Sequence, residues 1–291
     1  MAIDAYGITD IGLRREENQD QFLVAELGRA LVIHQTSLGA KAQGTLHGPS
    51  HAQLLAVADG VGGSAGGALA SQLAVQTLVR YTLNLLPWCA RLDPEQDDDL
   101  VAELKVALEG CRSELANAAS EDPSRANMAT TLTLAFVIWP QAWILNVGDS
   151  RAYLAHGSKL TRLTQDQTVA VELAAAGAIS ESAALRSRWR SVLSNSLGGG
   201  ADRAPEVTRV TLTLGDTLLL CSDGLTAHVA DEEITQHLIS APSSEDACQT
   251  LVSAANEAGG SDNVTCVVAR FFDAELSEAD TVRLEPSATP R

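Results

Sequence analysis

The chain has 291 residues, long enough for one large domain or two small ones, and 45% of them are hydrophobic, so a sizeable core is available. Its 20 Lys and Arg against 37 Asp and Glu leave a net charge of −17, which argues against nucleic acid or an anionic membrane as partner. A phosphate site on so acidic a chain needs local positive charge, which cations can supply.

The opening residues, Met1 to Tyr6, lack a basic region followed by an apolar stretch, so no signal peptide is expected. No window reaches the roughly 18 consecutive apolar residues of a spanning helix. Residues 21–27, 30–35 and 54–58 read as short strands from their length and their Val, Leu and Ile content. Between them 36–53, rich in Gly and Ala, reads as an extended hairpin loop. Ser64 is placed to cap a helix in which Ala70, Leu73, Ala74, Thr77, Leu78 and Tyr81 recur at helical spacing. An acidic connector over 94–99 leads into a second helix at 97–119, acidic at its start as the helix dipole prefers.

Further strands are predicted at 131–138, 142–147, 151–155, 217–221 and 264–272. From 131 to 163 strands follow one another with no helix between them, which indicates antiparallel hairpins rather than a βαβ series. Helices that come in pairs between blocks of strands suggest sheets covered by helical layers, an α+β architecture. With no internal repeat and no convincing boundary, 1–272 reads as one domain; the polar tail, 273–291, is expected to be disordered. Cys89, Cys111, Cys221, Cys248 and Cys266 are scattered without a CxxC, so buried free thiols in a reducing, cytoplasmic setting are expected rather than disulfides or zinc.

The aspartates carry the chemistry. Asn18-Gln19-Asp20 precedes a strand, and 54–58 runs into Asp59-Gly60-Val61-Gly62-Gly63. The next strands run into Gly148-Asp149-Ser150-Arg151 and Ser222-Asp223-Gly224, and Ser261-Asp262-Asn263 leads into the last one. Each Asp-Gly alone is an ordinary turn. Together, blocks far apart in sequence place acids at strand mouths, and packed sheets would bring them to one edge. Carboxylates that close repel unless protons or cations intervene, and hard Mg²⁺ or Mn²⁺ ions suit an all-oxygen site. Two cations roughly 3.5–4 Å apart would share a bridging water and aim it at phosphorus. No Ser-His-Asp order, HExxH or P-loop competes, and the runs Gly62-Gly63 and Gly198-Gly199-Gly200 lack the flanking Lys-Ser/Thr of a nucleotide loop.

At these positions the sequence resembles the protein phosphatase 2C family of metal-dependent serine/threonine phosphatases, and specifically its bacterial branch. The ordered match runs from Gly7 to about Arg270. It takes in Thr9-Asp10-Ile11-Gly12, Arg15, Asn18-Gln19-Asp20, Val57 to Gly63 and Met128-Ala129-Thr130-Thr131. It continues through Asn146 to Arg151, Leu163-Thr164-Gln165-Asp166, Ser222 to Leu225 and Ser261 to Thr265. The resemblance implies an α-β-β-α sandwich with a metal centre at one end of two antiparallel sheets. It implies that Asp59, Asp223 and Asp262 hold one Mn²⁺ or Mg²⁺, that Asp20, Asp59 and the Gly60 carbonyl hold a second, and that Asp149 carries a third, weaker one. A metal-bridging water would attack the phosphorus directly, and Arg15 would grip the substrate phosphate. The implied partners are phosphorylated proteins and a serine/threonine kinase pathway, with the enzyme itself a monomer. An inactive relative that binds phosphoproteins is the alternative.

The sequence departs from some relatives at Val61, where they carry a His able to protonate the leaving group. His34, His47, His51, His156, His228 and His237 fall outside the matched metal blocks and read as surface or structural. Residues 166–203 match the variable flap of bacterial members. They carry Arg186, Arg188 and Arg190 around Trp189, read either as a solvated charged helix or as a contact for acidic or phosphorylated substrate. Met128 to Thr131 are expected to let a helix pack close to the site.

Overall fold

The computed structural model describes residues 1–33, 44–61, 64–89, 97–200, 203–273 and 284–285. In chain order these form β1 (Ala2–Asp10), β2 (Asp20–Ile33), β3 (Gly44–Val61), α1 (Ser64–Cys89), α2 (Asp97–Glu121), β4 (Ala129–Thr130), β5 (Leu132–Ile138) and β6 (Gln141–Val147). Then come β7 (Arg151–His156), β8 (Lys159–Arg162), α3 (Val169–Ala175), α4 (Glu181–Ala184), β9 (Leu197–Gly198), β10 (Glu206–Thr211) and β11 (Thr217–Cys221). The set closes with α5 (Asp223–Thr226), α6 (Asp231–Ser240), α7 (Ser244–Glu257), β12 (Val264–Phe272) and β13 (Leu284–Glu285).

Two antiparallel sheets result. One runs β1-β12-β11-β7-β8; the other runs β10-β6-β5-β3-β4-β9, with β2 and β13 also paired to β3. Strand alternation divides the apolar side chains between three cores. Leu55, Val57 and Ile144 of the larger sheet meet Leu218, Leu220 and Val267 of the smaller one between the sheets. The alternate residues Leu54, Ala56 and Leu134 face outward onto α1 and α2, whose Ala70, Ala74, Leu78, Leu104 and Leu108 recur at helical spacing. On the other outer face Leu219, Cys221 and Val268 meet Leu238 of α6 and Cys248 and Leu251 of α7. The layers are therefore α-β-β-α. Each leucine fully buried this way contributes about 1.5–3 kcal/mol.

Helix α7 shows how local sequence sets a boundary: the Ser243 hydroxyl accepts from the Asp246 N–H at 3.0 Å, and Glu245 and Asp246 lie in the first turn where the dipole favours acids. Cys111, Cys221, Cys248 and Cys266 are buried free thiols, as expected. Among the described residues no helix is long and apolar enough to cross a membrane.

Several sequence expectations need correction. The strands expected at 21–27 and 30–35 are one strand, β2, which absorbs its irregularity in register shifts at Leu27/Gly28 and Gly28/Ala30. The hairpin loop expected over 36–53 is strand from Gly44 onward, because β3 pairs along β2 from Gly44 opposite Ile33 to Asp59 opposite Asp20; 34–43 lie outside the described residues. Ser64 is the first residue of α1 rather than the residue before it; α2 opens at Asp97 as expected, which leaves no connector over 97–99, and 94–96 lie outside the described residues. Of the tail expected to be disordered, Leu284 and Glu285 pair with Leu46 and Thr45, and the remainder after Asp273 lies outside the described residues.

Candidate active site

The acids flagged at strand mouths come together at one end of the sandwich. Asp20 opens β2 and lies directly opposite Asp59, two residues from the end of β3. Asp223 follows β11, Asp262 precedes β12, and Asp149 sits in the turn that carries the chain from β6 in one sheet to β7 in the other. Arg15, Asp59, Gly60, Asp149, Asp223 and Asp262 line a single cleft of about 580 Å³. Asp20, 2% exposed, is not among the lining residues.

Backbone and hydroxyl contacts fix these acids. The Asp59 N–H donates to the Thr131 hydroxyl at 3.0 Å, while its carbonyl accepts from the Thr131 N–H at 2.8 Å and the Thr130 hydroxyl at 2.8 Å. Thr131 and Ser150 share a hydroxyl contact of 2.8 Å, which ties the Asp59 strand to the Asp149 turn. Met128 to Thr131 thus act through strand pairing, Thr130 opposite Gly60, as well as by letting Gly66 of α1 approach Met128. On the other side Asn18 Nδ2 donates to Thr9 Oγ1 at 2.9 Å, Thr9 and Thr265 are 2.8 Å apart, and Thr265 Oγ1 donates to Asp20 Oδ2 at 2.6 Å. Asn263 clamps the loop that carries Arg15: its Nδ2 donates to the Ile11 and Glu17 carbonyls and its Oδ1 accepts from the Gln19 N–H, at 3.0, 3.0 and 2.9 Å.

Gly60 is required by proximity. A Cβ there would lie 2.2 Å from the Gly67 carbonyl oxygen of α1 and 2.7 Å from that of Gln19, distances that forbid any side chain. Gly62 and Gly63 lie outside the described residues, and Gly198 to Gly200 form a positive-φ turn at the end of β9. The flap segment holds α3 and α4, and its base is fixed by Gln167, which accepts from the Gly148 N–H at 2.9 Å, and by Val169 N–H donating to Val192 at 2.8 Å. Arg186, Arg188 and Arg190 lie in turns that follow α4, so the reading of a charged helix is corrected. Helix α4 is only four residues, and Ser187 continues the turn with its hydroxyl accepting from the Trp189 N–H.

Burial and mutual repulsion dominate the electrostatics. Burial, opposed by the Thr265 and Ser222 hydroxyls and reinforced by Asp223 and Asp262, pushes the Asp20 carboxyl up to about 7. Asp149 is pushed up to about 8 by burial and then by Asp223 and Asp166. Asp59 is raised well above the carboxylate range by burial and by Asp20, Asp223, Asp149 and Asp262; Asp223 is raised by burial and by Asp262. Asp20 Oδ1 is buried with no hydrogen-bond partner. Among the described residues no three acidic, imidazole or thiol groups are gathered closely enough to enclose an ion. Two of the acids are held by protein groups, Asp262 by Arg15 and Asp20 by Thr265. An orphaned carboxylate oxygen and a set of mutually repelling oxygen donors, with the Gly60 carbonyl beside them, fit hard divalent cations.

Of the histidines, His156 contacts buried Asp216 at 2.6 Å and His237 neighbours Glu233, both away from the cleft. His228 lies nearer than the sequence suggested: its Nε2 accepts from the Ser261 N–H at 3.1 Å, one residue from Asp262. The side chains of His34, His47 and His51 lie outside the described residues.

A family model described as Protein phosphatase 2C matches residues 40–269. The chain is 34% identical over 231 residues to a serine/threonine protein phosphatase, PstP, of Mycobacterium tuberculosis, covering 79% of this chain and 43% of that protein. It therefore spans less than half the length of that relative. A serine/threonine phosphatase, stp, of Listeria monocytogenes is 31% identical over 228 residues, covering 77% of this chain and 87% of that one. Among solved structures, the catalytic domain of PstP in complex with two manganese ions superposes with a TM-score of 0.69 at 30% identity, over 93% of this chain and 99% of that one.

Proposed function

Because the chain belongs to the protein phosphatase 2C family, we propose that it is a metal-dependent phosphatase that hydrolyses phosphoserine and phosphothreonine in other proteins. One observation carries the reading: half-buried aspartates from the strand ends of both sheets converge on the cleft in which Arg15 stands. Asp59, Asp223 and Asp262 would hold one cation, and Asp20, Asp59 and the Gly60 carbonyl a second. Asp149 would hold a third. When bound, Mn²⁺ or Mg²⁺ supplies the charge that attracts a phosphate dianion and makes water nucleophilic near neutral pH.

The remaining work falls to the chain itself. Arg15 offers a planar fork able to give phosphate two parallel hydrogen bonds, and it stands at the mouth of the cleft with its side chain 54% exposed. Thr265 and Thr131 keep Asp20 and Asp59 in place, so the acids do not reorganise as charge develops on the phosphoryl group. Val61, 42% exposed beside the cleft, has no proton to give, so a leaving serine or threonine oxygen must take its proton from solvent within the site.

In this reading 1–272 act as one phosphatase domain with 166–203 as its flap. The setting is a monomeric cytoplasmic enzyme working opposite a serine/threonine kinase, supported by free buried thiols and strong net negative charge. An inactive phosphoprotein-binding relative is not favoured, since the relatives are themselves named phosphatases and every acid of the matched blocks is retained. Manganese-dependent release of phosphate from phosphothreonine peptides tests the proposal. Its absence, in folded protein that binds Mn²⁺, would reject it.

A further inference from the structure

Past Asp149, Asp223 and Asp262 the cleft continues into a second chamber of about 390 Å³, which shares those three acids and Ser191 with the first. One wall is the flap, with Val171 of α3, then Leu185 and Arg190; the facing wall carries Thr226 and Ala227 at the end of α5. The three flap arginines are not equivalent. Arg188 lies over the Trp189 ring at 4.7 Å, and Arg186 does not line the chamber. Arg190 does, and it makes no side-chain hydrogen bond or ion pair with any described residue. The chamber's other acid, Asp166, is already held by Arg151 at 2.8 Å and by Arg162. A guanidinium with no direct ion-pair partner among the described residues therefore stands in a chamber that Asp149, Asp166, Asp223 and Asp262 also line, continuous with the site where phosphate and the cations that would engage three of those acids would lie.

From this arrangement we infer that the chamber is a specificity subsite for the protein substrate. It takes an acidic side chain one or two residues from the phosphorylated one, with Arg190 as its counter-ion. Val171 and Leu185 pack against the methylenes, and Leu185 is 74% exposed until something covers it. A basic substrate side chain would meet Arg190 with like charge, and a neutral one would leave the guanidinium unmatched. The rest of the surface repels acidic substrates in general, so Arg190 selects where in the substrate an acid is accepted. The inference rests on the phosphatase reading and sharpens its substrate class.

The test uses phosphothreonine peptides of otherwise uncharged sequence, with one Glu, Ala or Lys scanned through the two positions on either side of the phosphothreonine. Binding is read by fluorescence anisotropy and turnover by phosphate release, with Mn²⁺ present. At one position Glu should lower both Kd and KM about fivefold relative to Ala, the scale of an ion pair partly open to solvent, with kcat unchanged. Arg190→Ala should abolish that preference, Arg190→Glu should transfer it to Lys, and Arg188→Ala should retain it. A merely structural role for Arg190 cannot produce the reversal. Equal affinity for Glu and Ala at every position, or a Glu preference that survives Arg190→Ala, overturns the subsite. Failure to hydrolyse p-nitrophenyl phosphate with Mn²⁺ overturns the phosphatase reading instead, and the binding measurements still decide the subsite.

Discussion

Arg15 reaches across 247 positions of sequence to clasp Asp262 with both prongs, Nε donating to Oδ1 at 2.7 Å and Nη2 to Oδ2 at 2.6 Å. The residue expected to grip phosphate and one expected to grip a cation are thus each other's partner. In the proposed function a cation at Asp262 and an anion at Arg15 would each compete with this pair, so the arrival of either would free the other's ligand.

Arg15→Ala should therefore have two opposite effects. KM for phosphopeptides should rise roughly tenfold or more, as expected for losing charge-assisted hydrogen bonds. Mn²⁺ affinity, measured by calorimetry, should increase because Asp262 has lost its competitor. Arg15→Lys should recover only part of the KM, since an ammonium lacks the fork. Weaker Mn²⁺ binding in Arg15→Ala would instead mean that the guanidinium aligns Asp262 for the ion.

Asp59→Asn and Asp223→Asn should each lose turnover to the limit of detection while keeping the native circular dichroism spectrum. Both acids are half-buried and crowded by like charges, so a neutral amide removes cation affinity and repulsion together. Calorimetric Mn²⁺ titration should show a lost or weakened site in each. Wild-type turnover with unaltered Mn²⁺ binding would remove these residues from the metal centre.

The stability of chelator-treated protein should fall as pH rises. Burial and neighbouring acids hold the protons of folded Asp20 and Asp149 up to about 7 and about 8, whereas in the unfolded chain a carboxyl releases its proton near its ordinary value of 3.8. Between those values the folded state holds more protons than the unfolded one, so ∂ΔG/∂pH is negative there. Their contribution is complete below about pH 4 and lost above about pH 8. Thermal melts from pH 4.5 to 8.5 should show this decline, and saturating Mn²⁺ should flatten it by replacing protons with cations. A melting temperature that rises over the same range would contradict the burial of these acids.

Asp149→Ala separates a turn-supporting role from a chemical one. If Asp149 only supports the turn between β6 and β7, its removal costs about 1 kcal/mol of stability and leaves catalysis unaltered. If it holds a third cation, the variant keeps its two tighter sites and its fold but loses kcat. The loss should be larger for phosphoserine peptides than for p-nitrophenyl phosphate, whose leaving group needs little protonation. We expect the second pattern. Equal losses on both substrates would exclude a role at the leaving group.

The acids were legible in the sequence because each interrupts an apolar run, and an apolar run is what a buried strand requires. What holds them was not. Thr131 secures Asp59 across 72 positions and Thr265 secures Asp20 across 245, and a threonine in a strand has no local mark that it serves a distant carboxylate. Strand β1 was missed because its residues alternate weakly and all are half-buried, with Gly7 at the centre pressed against Phe22. The 36–53 stretch was read as loop because it is rich in Gly and Ala, yet β2 offers it a ladder of backbone partners from Gly44 on. Tertiary pairing overrode local preference there. The flap arginines could be counted from sequence, but which of them faces the cleft depends on turns that follow a four-residue helix.

Asp20 and Asp59 belong to one sheet and Thr265, Asp223 and Asp262 to the other or its adjoining ends, so the cluster straddles the seam of the sandwich. Its internal distances are set by how Leu55 and Val57 mesh with Leu220 and Val267, far from any reacting atom. A sliding of one sheet over the other by about 1 Å leaves every backbone ladder intact but displaces half of the carboxylates relative to the rest, a shift on the scale at which misplacement can cost roughly a hundredfold in rate. Conservative changes between the sheets, Val267→Ala or Leu220→Met, should then surface first as sluggish catalysis in a protein that still melts cooperatively. The middle layer of this sandwich works as an alignment gauge as much as a core.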